Sequence, residues 1–234
     1  MEIIYEDNHI IAVNKACGEI VMIDQTGDTP MTDAVKLYLK EKYNKPGEVF
    51  LGLPHRIDRP TSGIVLMART GKVLTRFNKM FQKKDQIRKT YWAVVDNPPF
   101  PPEGTLEHWI TRSKEKNKSF AHNYQAVDSK HALLNYRTIA ASDIYFLLEI
   151  ELLTGRHHQI RAQLSRIGIH IKGDLKYGFP RSNPDGGIHL HARKVEFIHP
   201  VRKEPVVIVA SPPDEPLWNE FVRILEESDM EKSS

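Results

Sequence analysis

Asp58 is the only carboxylate in the stretch His55-Arg56-Ile57-Asp58-Arg59-Pro60-Thr61-Ser62-Gly63, and it stands between two arginines. A carboxylate that acts as nucleophile or base must stay ionised while partly removed from water. Burial raises a carboxyl pKa and a nearby guanidinium lowers it again, so this pattern suits an anion held in a fairly dry pocket. A plainer reading stays open: an Asp before Thr-Ser-Gly also caps turns through the following amides. The apolar run at 64–68 is short, rich in β-branched residues and bounded by Gly63 and Gly71, which predicts a buried strand. The nine residues before it read as a loop, since Pro60 lacks an N–H and Thr-Ser-Gly is turn chemistry.

Three further stretches carry chemistry. Residues 70–85 predict a helix with an apolar stripe of Val73, Phe77, Met80 and Phe81. A second stripe, Lys72, Arg76, Lys79 and Lys83, is wholly basic; it reads as a phosphate track or as a solvated face whose stems cover apolar surface. Lys89-Thr90-Tyr91-Trp92-Ala93 predicts a strand, on which a Tyr offers one apolar face and one hydroxyl. Thr154-Gly155-Arg156-His157-His158-Gln159-Ile160-Arg161 opens a short helix with Ile160, Leu164 and Ile167 inward, which would put His158 and Arg161 on one face. An Arg there can form a bidentate pair with a carboxylate, as a Lys cannot.

Together these stretches resemble the RluA-type pseudouridine synthases. The first matches a His-Arg-Leu-Asp, two variable residues, Thr-Ser-Gly signature with one Leu-to-Ile change. The stretch at 89–93 matches Lys-x-Tyr-x-Ala, and that at 155–161 matches Gly-Arg-x-His-Gln-Ile-Arg. Gly173-Asp174-Leu175-Lys176-Tyr177-Gly178 and His189-Leu190-His191-Ala192 are also familiar segments of that family. The family usually has Asn-Lys-Pro-x-Gly where this chain has Asn14-Lys15-Ala16-Cys17-Gly18, a looser turn. The likeness runs from about residue 3 to about 212, so the small amino-terminal RNA-binding domain of many relatives is expected to be missing.

The resemblance implies an α+β fold, a largely antiparallel sheet with flanking helices and an active-site cleft. It implies isomerisation of uridine in transfer or ribosomal RNA to its C5-glycoside after base flipping. Asp58 becomes the catalytic carboxylate, attacking C1′ or removing a sugar proton. Tyr91 stacks on the base and helps remove the C5 proton, and Arg161 pairs with the catalytic Asp. His55, Arg56, Arg59, Thr61 and His158 fall on the substrate side, with Arg56 filling the gap left by the flipped base. The reaction needs no metal or organic cofactor.

Composition sets the frame. The chain has 234 residues, which suits one catalytic domain over 1–234 with an acidic tail from about 214. No run of about 18 apolar residues is present, the first residues do not read as a secretory leader, and Cys17 is the only cysteine; a cytoplasmic monomer without a leader is expected. The net charge of +3 hides a strong asymmetry: eight basic residues against Asp85 alone between Arg69 and Lys89. That region beside the Asp58 loop is the footprint of a nucleic-acid partner.

The remaining elements are expected as paired strands at 10–13 and 20–23, a helix at 31–43 with Ala34, Leu37, Tyr38 and Glu41 on one side, and an irregular 97–131 with a loop at 112–118. Strands at 132–137, 144–152 and 206–209 and a helix at 217–227 complete the series. Two rivals are weighed. A metal-dependent hydrolase using His189, His191 and Asp174 is disfavoured because His-x-His in a strand is more often structural. A silent RNA-binding relative has no chemical need for Asp58, Tyr91 and Arg161 together.

Overall fold

The structure is a computed structural model, and it describes residues 1–23, 27–83 and 85–233. It is α+β with mainly antiparallel pairing, as the sequence implied. The chain divides into two compact units, Met1–Arg88 with Ala192–Ser211, and Lys89–His191 with Pro212–Ser234.

In the first unit, β1 (Glu2–Glu6), β2 (Ile10–Lys15) and β3 (Ser62–Ala68) pair antiparallel in that order. β3 neighbours β9 (Leu190–Ile198), which pairs with β10 (Pro205–Val209). Every residue of β3 is buried, which is why its sequence is an unbroken apolar run rather than an alternation. Between these strands come α1 (Met31–Lys42) and α2 (Gly71–Gln82). Thr70 caps α2 by accepting the Val73 N–H on its hydroxyl, and Val73 and Phe77 are buried against Leu66, Val195 and Phe197.

In the second unit the strand order is β4 (Ile87–Val95), β8 (Phe146–Leu152), β7 (Lys130–Ala141), β5 (Glu103–Ser113) and β6 (Lys118–His122). Its strands have two apolar faces. Ala93, Leu148 and Ile150 pack with Ile160 and Leu164 of α3 (Gln159–Arg166), while Trp92, Val94 and Leu147 pack with Trp218 and Phe221 of α4 (Pro216–Ser233). Successive residues of a strand point to opposite faces, so one apolar run serves two helices. No helix among the described residues is long and apolar enough to cross a membrane.

Several expectations are corrected. Residues 20–23 form no strand; the partner of β2 is β1, before it in the chain. The α1 face is also different: Met31, Val35 and Leu39 are buried, and Leu37 is exposed. The stretch 97–131 is largely regular, a β5–β6 hairpin turning at 114–117, and its strands pair through cross-strand bonds that a basic, turn-rich sequence does not advertise.

Candidate active site

The Asp58 loop is fixed at three points of the first unit. Upstream, Gly52 exchanges backbone hydrogen bonds with Ala68 at 2.8 Å each way, and His55 Nε2 accepts the Leu66 N–H at 2.9 Å. The His55 ring stacks on Phe81, with centroids 4.8 Å apart. Below the loop, the Arg59 carbonyl accepts from Gly18 N–H and from Lys15 Nζ, both at 3.0 Å. Lys15 is fully buried, and its ammonium also donates to the carbonyls of Ala16 and Glu19 at 2.8 and 2.9 Å. Three donors meet three acceptors. Burial pulls the Lys15 pKa down to about 8, against the opposing pull of Cys17, Glu19 and Asp58. Downstream, Gly63 has φ +109° and lies so close to the Ala192 backbone that a Cβ would collide with it. Only glycine fits that approach.

These anchors leave Asp58 half-buried at the head of β3. Thr61 N–H goes to the main-chain carbonyl of Asp58 at 3.1 Å, so this amide of the turn does not use the carboxylate. Thr61 itself is buried, and its Oγ1 has no hydrogen-bond partner among the described residues. Arg56 is exposed, as is Arg59, whose guanidinium lies 2.7 Å from Asp28. Lys72, Arg76 and Lys79 are exposed on α2, although Arg76 is tied to the Pro200 carbonyl at 2.9 Å; the helix ends at Gln82, short of the expected 85, so exposed Lys83 follows it in extended backbone rather than continuing the stripe.

Tyr91 and Arg161 lie in the second unit. Tyr91 sits half-buried on β4 opposite Ile150, with its ring against the α3-side core. Lys89, two residues earlier on the same strand face, is half-buried with its amine beside Gly155, and burial lowers its pKa to about 8. Arg161 is buried in α3 and bound bidentately by Asp174, Nε to Oδ2 at 2.7 Å and Nη2 to Oδ1 at 2.8 Å. That pair uses two of the five guanidinium N–H groups. The guanidinium lies 4.9 Å from the centre of the Tyr177 ring, whose hydroxyl accepts the Ser119 N–H and bonds His158 Nδ1.

His158 departs from its expected place. It precedes α3 in a left-handed conformation, φ 52°, so it does not share a helical face with Arg161. Its ring is buried, stacked on His157 at 3.7 Å, and its pKa is pushed down to about 2, first by burial and then by Arg161. A neutral imidazole here is a bonding partner of Tyr177. The residues of the hydrolase rival are engaged elsewhere: Asp174 holds Arg161, while His189 bonds Asn183 and stacks on Trp218.

The family model for RNA pseudouridylate synthase matches residues 9–166, two thirds of the chain. The chain belongs to the RNA pseudouridylate synthase family. The match spans Asp58, Tyr91 and Arg161. Among relatives of the chain, tRNA pseudouridine synthase C of Pectobacterium carotovorum is 29% identical over 233 residues, 90% of this chain; the chain spans only 58% of that relative's length. The enzyme of the same name from Salmonella typhimurium is 30% identical over 232 residues, covering 90% of this chain and 85% of that protein. Ribosomal large subunit pseudouridine synthase D of Xylella fastidiosa is 30% identical over 229 residues, 92% and 67% of the two chains. The solved structure of human RNA pseudouridylate synthase domain containing 4 superposes with a TM-score of 0.77 at 22% identity, covering 96% of this chain and 93% of that one, which shows the shared fold.

Lys15, Tyr177 and Lys89 were given no role from the sequence, and Asp174 was weighed only as a metal ligand of the disfavoured hydrolase rival. Lys15 and Lys89 lie inside stretches that were noticed, and each is a lysine next to apolar strand residues; that placement was the available signal. Asp174 and Tyr177 act through partners 13 and 19 or more positions away, which spacing does not reveal.

Proposed function

We propose that this chain isomerises uridine in transfer or ribosomal RNA to pseudouridine, as a monomer in the cytoplasm. The observation that carries the reading is that one family match contains Asp58, Tyr91 and Arg161, with the Asp58 loop braced by hydrogen bonds on both sides. The N1–C1′ bond breaks, the uracil turns, and C5 bonds to C1′; the C5 proton leaves and N1 gains one. Atoms balance within the nucleotide, so the chemistry calls for no redox partner or group donor. Asp58 supplies the carboxylate that attacks C1′ or takes a sugar proton. Tyr91 stacks on the base and assists loss of the C5 proton. Arg161, oriented by Asp174, supplies positive charge for a carboxylate partner.

The target base must leave its stack, and exposed Arg56 is suited to fill the gap. The buried hydroxyl of Thr61 has no partner among the described residues, a condition that costs about 1–3 kcal/mol unless a ligand completes it. His55 takes part indirectly, as a brace of the loop. Incubating the purified protein with unmodified transfer and ribosomal RNA transcripts, then mapping pseudouridine, tests the reading. Wild type should modify a defined uridine, and Asp58→Ala should lose turnover while binding RNA within a few fold. RNA bound tightly with no pseudouridine from wild type would favour a silent RNA-binding relative.

A further inference from the structure

A groove of about 760 Å³ opens in the first unit between α2 and the β9–β10 hairpin. Five cations line it, Arg76, Lys79, Lys83, Arg88 and Lys203, against Asp85 and Glu196. Glu196 is already paired with Lys194 at 3.0 Å, so the balance facing the groove is strongly positive. Lys79, Lys83 and Lys203 are exposed, and their side-chain ammonium groups have no hydrogen-bond or ion-pair partner among the described residues. Apolar residues line it as well, Met80, Pro200 and Val206, with Pro205, Ile198 and Val207 exposed. Cations beside apolar surface suit a chain of regularly spaced anions carrying flat, apolar-faced groups.

We propose that this groove holds a second segment of the substrate's RNA strand, outlying from the modified uridine. The inference rests on the RNA-modifying reading above. Continuity favours the substrate over an acidic protein. Helix α2 bears on the Asp58 loop through Phe81 and His55, and it lends Lys79 to the groove, with Lys83 following directly at its carboxyl end. A strand engaged at the loop therefore reaches the groove by crossing one helix. Phosphate contacts of this kind carry affinity and register rather than sequence choice. Such a footprint lengthens the RNA needed for tight binding without changing which base is read.

The test is a binding titration of the full chain with unmodified transfer and ribosomal RNA transcripts across a salt series. The triple variant Lys79→Gln/Lys83→Gln/Lys203→Gln is compared with wild type, with Lys83→Arg, and with Lys40→Gln on the exposed side of α1 as control. The triple variant should lose about 2–3 from the slope of log K against log salt and about tenfold or more in affinity at low salt. Lys83→Arg and Lys40→Gln should track wild type. Photocrosslinks from bound RNA should fall in 79–83 and 203. Equal slopes and affinities for wild type and the triple variant would overturn the inference. So would displacement of nothing by RNA at a groove that captures polyglutamate. If wild type makes no pseudouridine, the isomerase reading fails while the same titration still decides the groove.

Discussion

Arg161 shows how much a single pair is asked to do. Its guanidinium is 4% exposed and the Asp174 carboxylate 1%, so each is the other's means of staying charged away from water. Removing one partner of such a pair strands the other, at about 3–5 kcal/mol. Arg161→Ala should therefore lower the melting temperature by roughly 10 °C, at about 2–4 °C per kcal/mol for a chain of this size. Asp174→Asn should do nearly the same, whereas replacing both by apolar residues of similar volume should recover much of the loss. Differential scanning calorimetry of the three variants checks this; an unchanged melting temperature in Arg161→Ala would show that water already reaches the pair. The residue that matters to Arg161 was the harder one to read. Asp58 and Gly63 were legible because loop and strand adjoin in sequence. Asp174 stood in a noticed segment, but its bond spans 13 positions and has no periodic signature.

Helix α2 is the element through which the loop and the core communicate. One face is legible from spacing alone: Val73 and Phe77 are buried, and Phe77 meets Phe197 edge-on at 5.5 Å. The next aromatic, Phe81, is only half-buried and stacks on His55, a contact no period predicts. The two phenylalanines should thus separate in their effects. Phe77→Ala should cost about 3–5 kcal/mol of stability, as expected for a filled core site. Phe81→Ala should cost far less but loosen His55, and with it the Asp58 loop, so kcat should fall while affinity for RNA stays near wild type. Urea denaturation alongside single-turnover pseudouridine formation distinguishes them, and equal stability losses with equal activity losses would remove any special link between α2 and the loop. Helices and the buried strand β3 were legible because their periods are local. The face of α1 was not, because burial of Val35 is set by chain outside the helix; the β5–β6 hairpin, which pairs Trp109 with His122, was missed although local, because its basic 112–118 stretch reads as a loop.

At the scale of the whole molecule, the buried titratable groups push the dependence of stability on pH in one direction. Burial lowers His158 to about 2 and also lowers His108 and His199, so below the ordinary histidine range the unfolded chain takes up protons that the folded chain refuses. Glu6 and Asp7 are lowered as well, held as anions by hydrogen bonds from Lys42 and from the amides of His9 and Ile10 despite partial burial. Stability must fall as pH drops below about 6.5. On the alkaline side Lys15 and Lys89, both lowered to about 8 from 10.5, reverse the usual trend. Between those values the folded chain has lost protons that the unfolded chain still binds, so stability rises with pH, by an amount on the order of a few kcal/mol. Above about 10 the gain ends, since Tyr5 and Tyr136 are raised by burial and resist the ionisation that the unfolded chain accepts. The maximum should therefore lie near pH 9 to 10, above the common range of about 5 to 8. Urea midpoints measured at steps from pH 5 to 10 would show a continued rise past 8 in wild type. In Lys89→Met that rise should shrink, and in Lys15→Met it should shrink against a lower baseline, because three backbone carbonyls lose their donor. A midpoint that falls above pH 8 in wild type would mean that both amines keep their protons in the folded chain, with the backbone carbonyls outweighing burial at Lys15.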